Sequence, residues 1–251
     1  MENDPKRFIG DIRVSLDARS RISCTFKAIG IWIIIFLSSN LIGGIAGQVG
    51  GLVSAMASIQ TSFTILSMLT AIILFRDEYR DLMGFRSPPI KSISRVVAIS
   101  FISSLPTTYL INILASTSKQ IQADIQLLIP MTLILAPIGE ELLFRGLLLG
   151  CLMRCISRWP SIMVSSIIFA LVHLPAFTAY SEISLTRFLI FAGALILGVI
   201  AGHFKISTDS LIPAIITHSI FNLSGMVTGV MTKLSIWPMG SPFLCGGPGG
   251  I

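Results

Sequence analysis

Ala136-Pro137-Ile138-Gly139-Glu140-Glu141-Leu142-Leu143-Phe144-Arg145-Gly146 places two adjacent carboxylates and a guanidinium inside an apolar run. Leu and Ile dominate positions 127–135 before it, and Leu fills 147–149 after it. A charged side chain near the centre of a bilayer costs roughly 2.5–3.5 kcal/mol on insertion scales. A segment of this kind needs partners for its charges, or it performs chemistry.

The surrounding chain is that of an integral membrane protein. It has 251 residues, 53% of them hydrophobic and 12% charged, with a mean hydropathy of +0.85. Soluble domains carry about 25% charged residues. The net charge of +6 and pI near 9.5 do not point to nucleic acid. They fit Lys and Arg gathered in loops that stay in the cytoplasm and meet anionic lipid. The four cysteines, Cys24, Cys151, Cys155 and Cys245, form no CxxC pair. Cys151 and Cys155 read as small buried residues, and neither a disulfide scaffold nor a zinc site is expected.

Outward from the central stretch, the pattern predicts an all-α, polytopic transmembrane helix bundle of about seven to eight helices. Residues 1–27 hold six basic and four acidic residues and read as a polar cytoplasmic or interfacial segment, the candidate eighth helix; they lack the early apolar core of a cleavable signal peptide. A single helical domain then covers 28–232. Its spans are expected near 28–47, 52–75, 96–115, 125–153, 161–177, 185–204 and 211–231. Gly43, Gly47 and Gly51 form a small-xxx-small row suited to close helix packing. The longest hydrophilic linker is 76–95, with five basic and three acidic residues. Residues 116–124 read as a short polar turn. Pro106 is expected to kink its span, and Pro130 and Pro137 allow bends in an overlong fourth one. The tail, 233–251, is Gly/Pro-rich and reads as disordered.

Three pairs at i,i+4 spacing share helix faces. Glu141 and Arg145 form the first, in the favourable orientation with the acid N-terminal to the base. That leaves Glu140, about 100° round the helix, without a local partner. A free carboxylate in apolar surroundings suits general-base work. The second pair is Phe169 and His173. Helices leaving the turn near Arg158 put Glu140 and His173 roughly 27 and 22 Å from it, at similar heights. The third pair is His218 and Asn222, two groups able to donate hydrogen bonds to a developing oxyanion.

These residues read EExxxR (Glu140 to Arg145), FxxxH (Phe169 to His173) and HxxxN (His218 to Asn222). In that order they resemble the three motifs of the type II CAAX prenyl endopeptidases, the CAAX protease and bacteriocin-processing (Abi) family of intramembrane proteases. The likeness covers about 125–225. It implies an intramembrane glutamate endopeptidase that needs no cofactor and no obligatory metal. Glu140 would activate a water with His173 as its partner, His218 and Asn222 would stabilise the oxyanion, and Glu141, Arg145 and Phe169 would support them. The implied partners are membrane lipids and a lipidated, prenylated or membrane-associated peptide.

Each feature also has a plainer reading. An intrahelical ion pair is often bundle glue, and a histidine in a span is often a packing residue. His203 beside Lys205 reads as interfacial, and Glu182, Arg187 and Asp209 as loop charges. Two other functions compete. A zinc protease could use Glu and His ligands, but HExxH and its inverse are absent. A non-proteolytic transport, interaction or bacteriocin-immunity protein could also bury Glu and His, though no pair of matching halves is evident. Short loops around a single bundle suit a prokaryotic plasma membrane.

Overall fold

The computed structural model describes residues 17–114, 125–178 and 184–236. All its regular structure is helical. The first element, α1 (Ala18–Phe75), starts at an N-cap in which Asp17 accepts from the Ser20 backbone N–H. Residues 18–27 are therefore the opening turns of this helix and not a separate one. At Gly51 the backbone turns to φ 71°, ψ −163°, a conformation that needs glycine. The helix doubles back there into a hairpin. Cβ atoms added at Gly43 and Gly47 would fall 2.2 Å from Ile59 Cγ1 and 3.1 Å from Ala55 Cβ. The small-residue row thus packs the hairpin against itself.

The hydrophilic linker is more structured than its composition suggests. A 3₁₀ turn (Arg76–Glu78) leads into α2 (Tyr79–Met83), which buries Leu82 and Met83. Leu82 reaches Gly150, where its carbonyl would lie 2.7 Å from an added Cβ, and Met83 reaches Gly146 at 2.8 Å. Next comes α3 (Ile90–Leu114), which continues through Pro106. The overlong fourth segment is one helical run: α4 (Ile125–Pro130), a π-helical stretch π1 (Met131–Leu135), α5 (Ala136–Glu141), a second stretch π2 (Leu142–Leu148), and α6 (Leu149–Cys155). The last three helices are α7 (Arg158–Thr178), α8 (Ser184–Thr208) and α9 (Ile212–Ile236).

The run from Leu142 to Leu152 is buried on all sides. It is the centre of the bundle, as expected for a helix that is apolar all round. The α1 hairpin packs along it and α7 and α8 meet its other faces, while α9 packs on the preceding π1 and α5 and against α3 and α8. Lipid offers no hydrophobic drive between helices, so short polar side chains join them. Ser100 bonds Thr217 and Ser104 bonds Ser224, while Asn112 donates to Gly225 O and Thr228 Oγ1.

Four of the helical stretches are long and apolar enough to cross a membrane: 18–83, which contains the Gly51 reversal, 90–114, 187–208 and 212–232. Arg154 Nη2 to Glu78 Oε2 (2.5 Å), Lys205 Nζ to Leu82 O (3.0 Å) and Arg158 Nη2 to His203 Nδ1 (3.4 Å) gather one set of helix ends. This end also carries Arg19, Arg21, Arg76, Arg80, Lys91 and Arg95, and is the basic end of the bundle. His203 stacks on Trp159 there, in line with an interfacial position. Arg187 belongs to α8 and is not in a loop. The expected 116–124 turn, Glu182 and residues 237–251 lie outside the described residues.

The cysteine expectation is corrected. Cys24, at the start of α1, and Cys155, at the end of α6, form a disulfide across 131 residues, with Cα atoms 5.5 Å apart. Spacing along the chain cannot reveal a pair that only the docking of α1 on α6 brings together. Cys151 is free and buried.

Candidate active site

Five helical segments meet around Glu140 and Glu141. The i,i+4 expectation holds for the second carboxylate. Arg145 Nη1 donates to Glu141 Oε1 at 2.9 Å, and both side chains are shut off from solvent. The same oxygen lies 2.8 Å from His218 Nδ1 on α9. Glu141 is therefore held by two donors from two helices, where the spacing alone shows one. Arg145 is also stacked: its Cζ lies 4.2 Å from the Phe169 ring centroid and 5.8 Å from that of Phe144. Such cation–π contacts strengthen away from water.

Glu140 is differently placed, with 15% of its side chain exposed. Its Oε1 accepts from Gln60 Nε2 at 2.9 Å. Its Oε2 has no hydrogen-bond partner among the described residues, yet it faces two imidazoles: His173 Nε2 at 3.6 Å and His218 Nε2 at 3.9 Å. Those separations exceed direct hydrogen bonding and suit a bridging water-sized group.

The imidazoles are oriented from behind. His173 Nδ1 lies 2.7 Å from Phe169 O. A carbonyl only accepts, so Nδ1 carries the proton and Nε2 of the neutral ring presents its lone pair toward Glu140. His218 Nδ1 donates to Glu141 in the same manner and aims its Nε2 into the site. Phe169 touches both rings, at 4.3 Å from His173 and 5.7 Å from His218. The FxxxH and HxxxN spacings thus carry more than packing.

Asn222 stands one turn beyond His218 on α9, and its Nδ2 donates to Thr132 O at 2.8 Å. Ser219 Oγ donates to the neighbouring Leu133 O. Both carbonyls belong to π1, where widening of the turn alters the helix's own hydrogen-bond ladder. Polar side chains of α9 engage that backbone, as an apolar setting demands. The wide second stretch, π2, holds Arg145, and Ser165 Oγ donates to Phe144 O within it.

Gln60 is the site residue that sequence reasoning missed. The available signal was an amide within the second apolar span, where polar groups are functional by default. Its approach depends on Gly139, where an added Cβ would lie 2.6 Å from Gln60 O and 2.7 Å from its Oε1. Among the described residues, no group of three or more His, Cys, Asp or Glu has an arrangement that could hold a metal ion.

Residues 122–224, which contain all three motifs, match a family described as Rce1-like: type II CAAX prenyl endopeptidase Rce1-like. The similarity covers less than half of the chain. No curated protein and no solved structure matches it. That similarity suggests peptidase activity in a multi-pass helical membrane protein. Gln60 and the whole α1 hairpin lie outside the matched segment.

Proposed function

We propose that this protein is an intramembrane glutamate endopeptidase that hydrolyses a peptide bond in a lipidated or membrane-associated peptide. The observation that carries this reading is the convergence of Glu140 Oε2, His173 Nε2 and His218 Nε2, with the carboxylate oxygen unpartnered in a buried setting.

A water between Glu140 and His173 donates one proton toward Oε2 and the other toward Nε2. Glu140 takes its proton as the water oxygen attacks the scissile carbonyl, and carbonyl oxygen becomes an oxyanion. His218, with its Nδ1–H directed to Glu141, donates from Nε2 when that nitrogen is protonated. Asn222 spends one amide hydrogen on Thr132 O and has the second for the oxyanion. Donors fixed in place in a water-poor site are worth more than in bulk solvent. Collapse of the tetrahedral species breaks the C–N bond, and Glu140 returns its proton to the leaving amine. No acyl-enzyme forms. Glu141 and Arg145 hold His218, and Phe169 supports both rings. By the positive-inside rule the basic end faces the cytoplasm of a prokaryotic cell, where the Cys24–Cys155 pair at that end would be held reduced.

The test is incubation of purified protein with matched prenylated and unprenylated peptides, beside Glu140→Gln and His173→Ala. Cleavage by the parent and its loss in both variants is the expected outcome. A Glu140→Gln protein that cleaves at the parental rate refutes the assignment.

A further inference from the structure

At the basic end, α3 and α8 part. Deeper in the bundle they touch: a Cβ added at Gly193 of α8 would lie 3.0 Å from Ile111 Cδ1 and 3.3 Å from Thr107 Cγ2 of α3. Toward the other end of the pair the gap opens into a cavity of about 520 Å³, with Trp159 of α7 on its wall. The cavity is amphiphilic along its length. Lys91 and Arg95 stand at its mouth, and Ile99, Val199 and Ile200 line it. Eight residues of helix from Lys91 to Ile99 span about 12 Å.

Among the described residues, nothing compensates the charge at the mouth and no carboxylate lines the cavity. Lys91 and Arg95 form no ion pair among the described residues. The acids nearest the lining along the chain are engaged elsewhere: Asp81 pairs with Arg86, and Asp209 acts on Lys205, whose Nζ donates to Leu82 O. Both cations also sit in the first two turns of α3, which has no acidic residue in its first turn. A helix N-terminus is itself positive, so cations there are misplaced unless an anion joins them. Arg158 adds a third cation against His203, and its buried Nε has no partner among the described residues. The hydroxyls of Ser92, Ser207 and Thr208 are turned to backbone carbonyls, so donors for an anion come from Lys91 and Arg95.

We infer that this cavity binds one anionic phospholipid, with its phosphate between Lys91 and Arg95 and an acyl chain along Ile99, Val199 and Ile200. The shared chemistry is a phosphate anion. An apolar floor continuous with the mouth selects a lipid over a free ion. Trp159, exposed at the same level, suits the headgroup boundary. The site is separate from the Glu140 cluster and does not rest on the proposed proteolysis.

The full-length protein is purified in detergent and titrated, by native mass spectrometry, with phosphatidylglycerol and phosphatidylcholine of identical chains. Phosphatidylglycerol is expected to bind more tightly. Lys91→Ser with Arg95→Ser is expected to weaken it about 30-fold, roughly five-fold for each cation, and to leave phosphatidylcholine unchanged. Lys91→Gln alone, expected to cost about five-fold, serves if the double variant fails to fold. Arg19→Ser with Arg76→Ser removes two cations from the same end away from the cavity and is expected to leave the affinity within about two-fold. Equal binding of the two lipids overturns the proposal, as does equal loss in both double variants. Complete displacement of phosphatidylglycerol by millimolar inorganic phosphate identifies a free-anion site and overturns the lipid assignment.

Discussion

Consider the isosteric substitutions Glu140→Gln and Glu141→Gln, which change neighbouring carboxylates without changing their volume. Glu141 is fully buried and its Oε1 meets both Arg145 Nη1 and His218 Nδ1. Removing its charge strands a guanidinium that is 1% exposed. Breaking a buried pair from one side costs about 3–5 kcal/mol. For a chain of this size each kcal/mol moves Tm by about 2–4 °C, giving a fall of roughly 6–20 °C. Glu140 faces imidazoles beyond direct bonding distance and keeps its one amide donor, which a glutamine oxygen also accepts. Its substitution is expected to leave Tm within about 2 °C while lowering kcat/KM by at least about 10²–10⁴-fold, the worth of a general base. Thermal unfolding in detergent and peptide cleavage, measured on the same preparations, read the two effects. Glu141→Leu with Arg145→Met, which removes both charges, should recover most of the lost stability. A Glu141→Gln protein as stable as the parent, beside a Glu140→Gln protein that unfolds early, would refute this division of roles.

Gln60→Leu removes a charge-assisted hydrogen bond to Glu140, worth about 1.5–3 kcal/mol. It is expected to cut kcat/KM by about 10- to 150-fold with a small change in Tm, and unchanged kinetics would show that Glu140 needs no help from α1. Gly139→Ala forces a methyl to within 2.6 Å of the Gln60 carbonyl oxygen. Overpacking of this kind costs about 1–3 kcal/mol and should lower activity and Tm together, whereas a Tm equal to the parent's would count against the close approach. In a cysteine-free background, Ser157→Cys is expected to react with a membrane-impermeant thiol reagent only from the cytoplasmic side and Ser184→Cys only from the other. The reverse pattern would invert the orientation. Cleavage is expected to survive a strong chelator; inactivation with rescue by zinc would replace the metal-independent mechanism.

What could be read from the sequence was what spacing along one helix determines. Glu141 with Arg145, Phe169 with His173, and the shared height of Glu140 and His173 all follow from 3.6 residues per turn and a short connection at Arg158. The contacts that spacing leaves open are those between helices distant in the chain. His218 presents one ring nitrogen to Glu141 and the other to Glu140, a doubling that HxxxN does not reveal. Gln60 is one polar residue among several in its span, and only the docking of the hairpin on Gly139 brings it to Glu140. Leu82 and Met83 looked like part of a polar linker because charges flank them. Their burial becomes evident only when Gly146 and Gly150 open room on the central run.

The close fit of Gln60 on Gly139 also bears on modularity. The segment that carries all three motifs does not supply every hydrogen-bond partner of Glu140. Grafting 122–224 onto a foreign anchor would leave Glu140 Oε1 without its donor, so the exchangeable unit in any chimera must include residues 52–75.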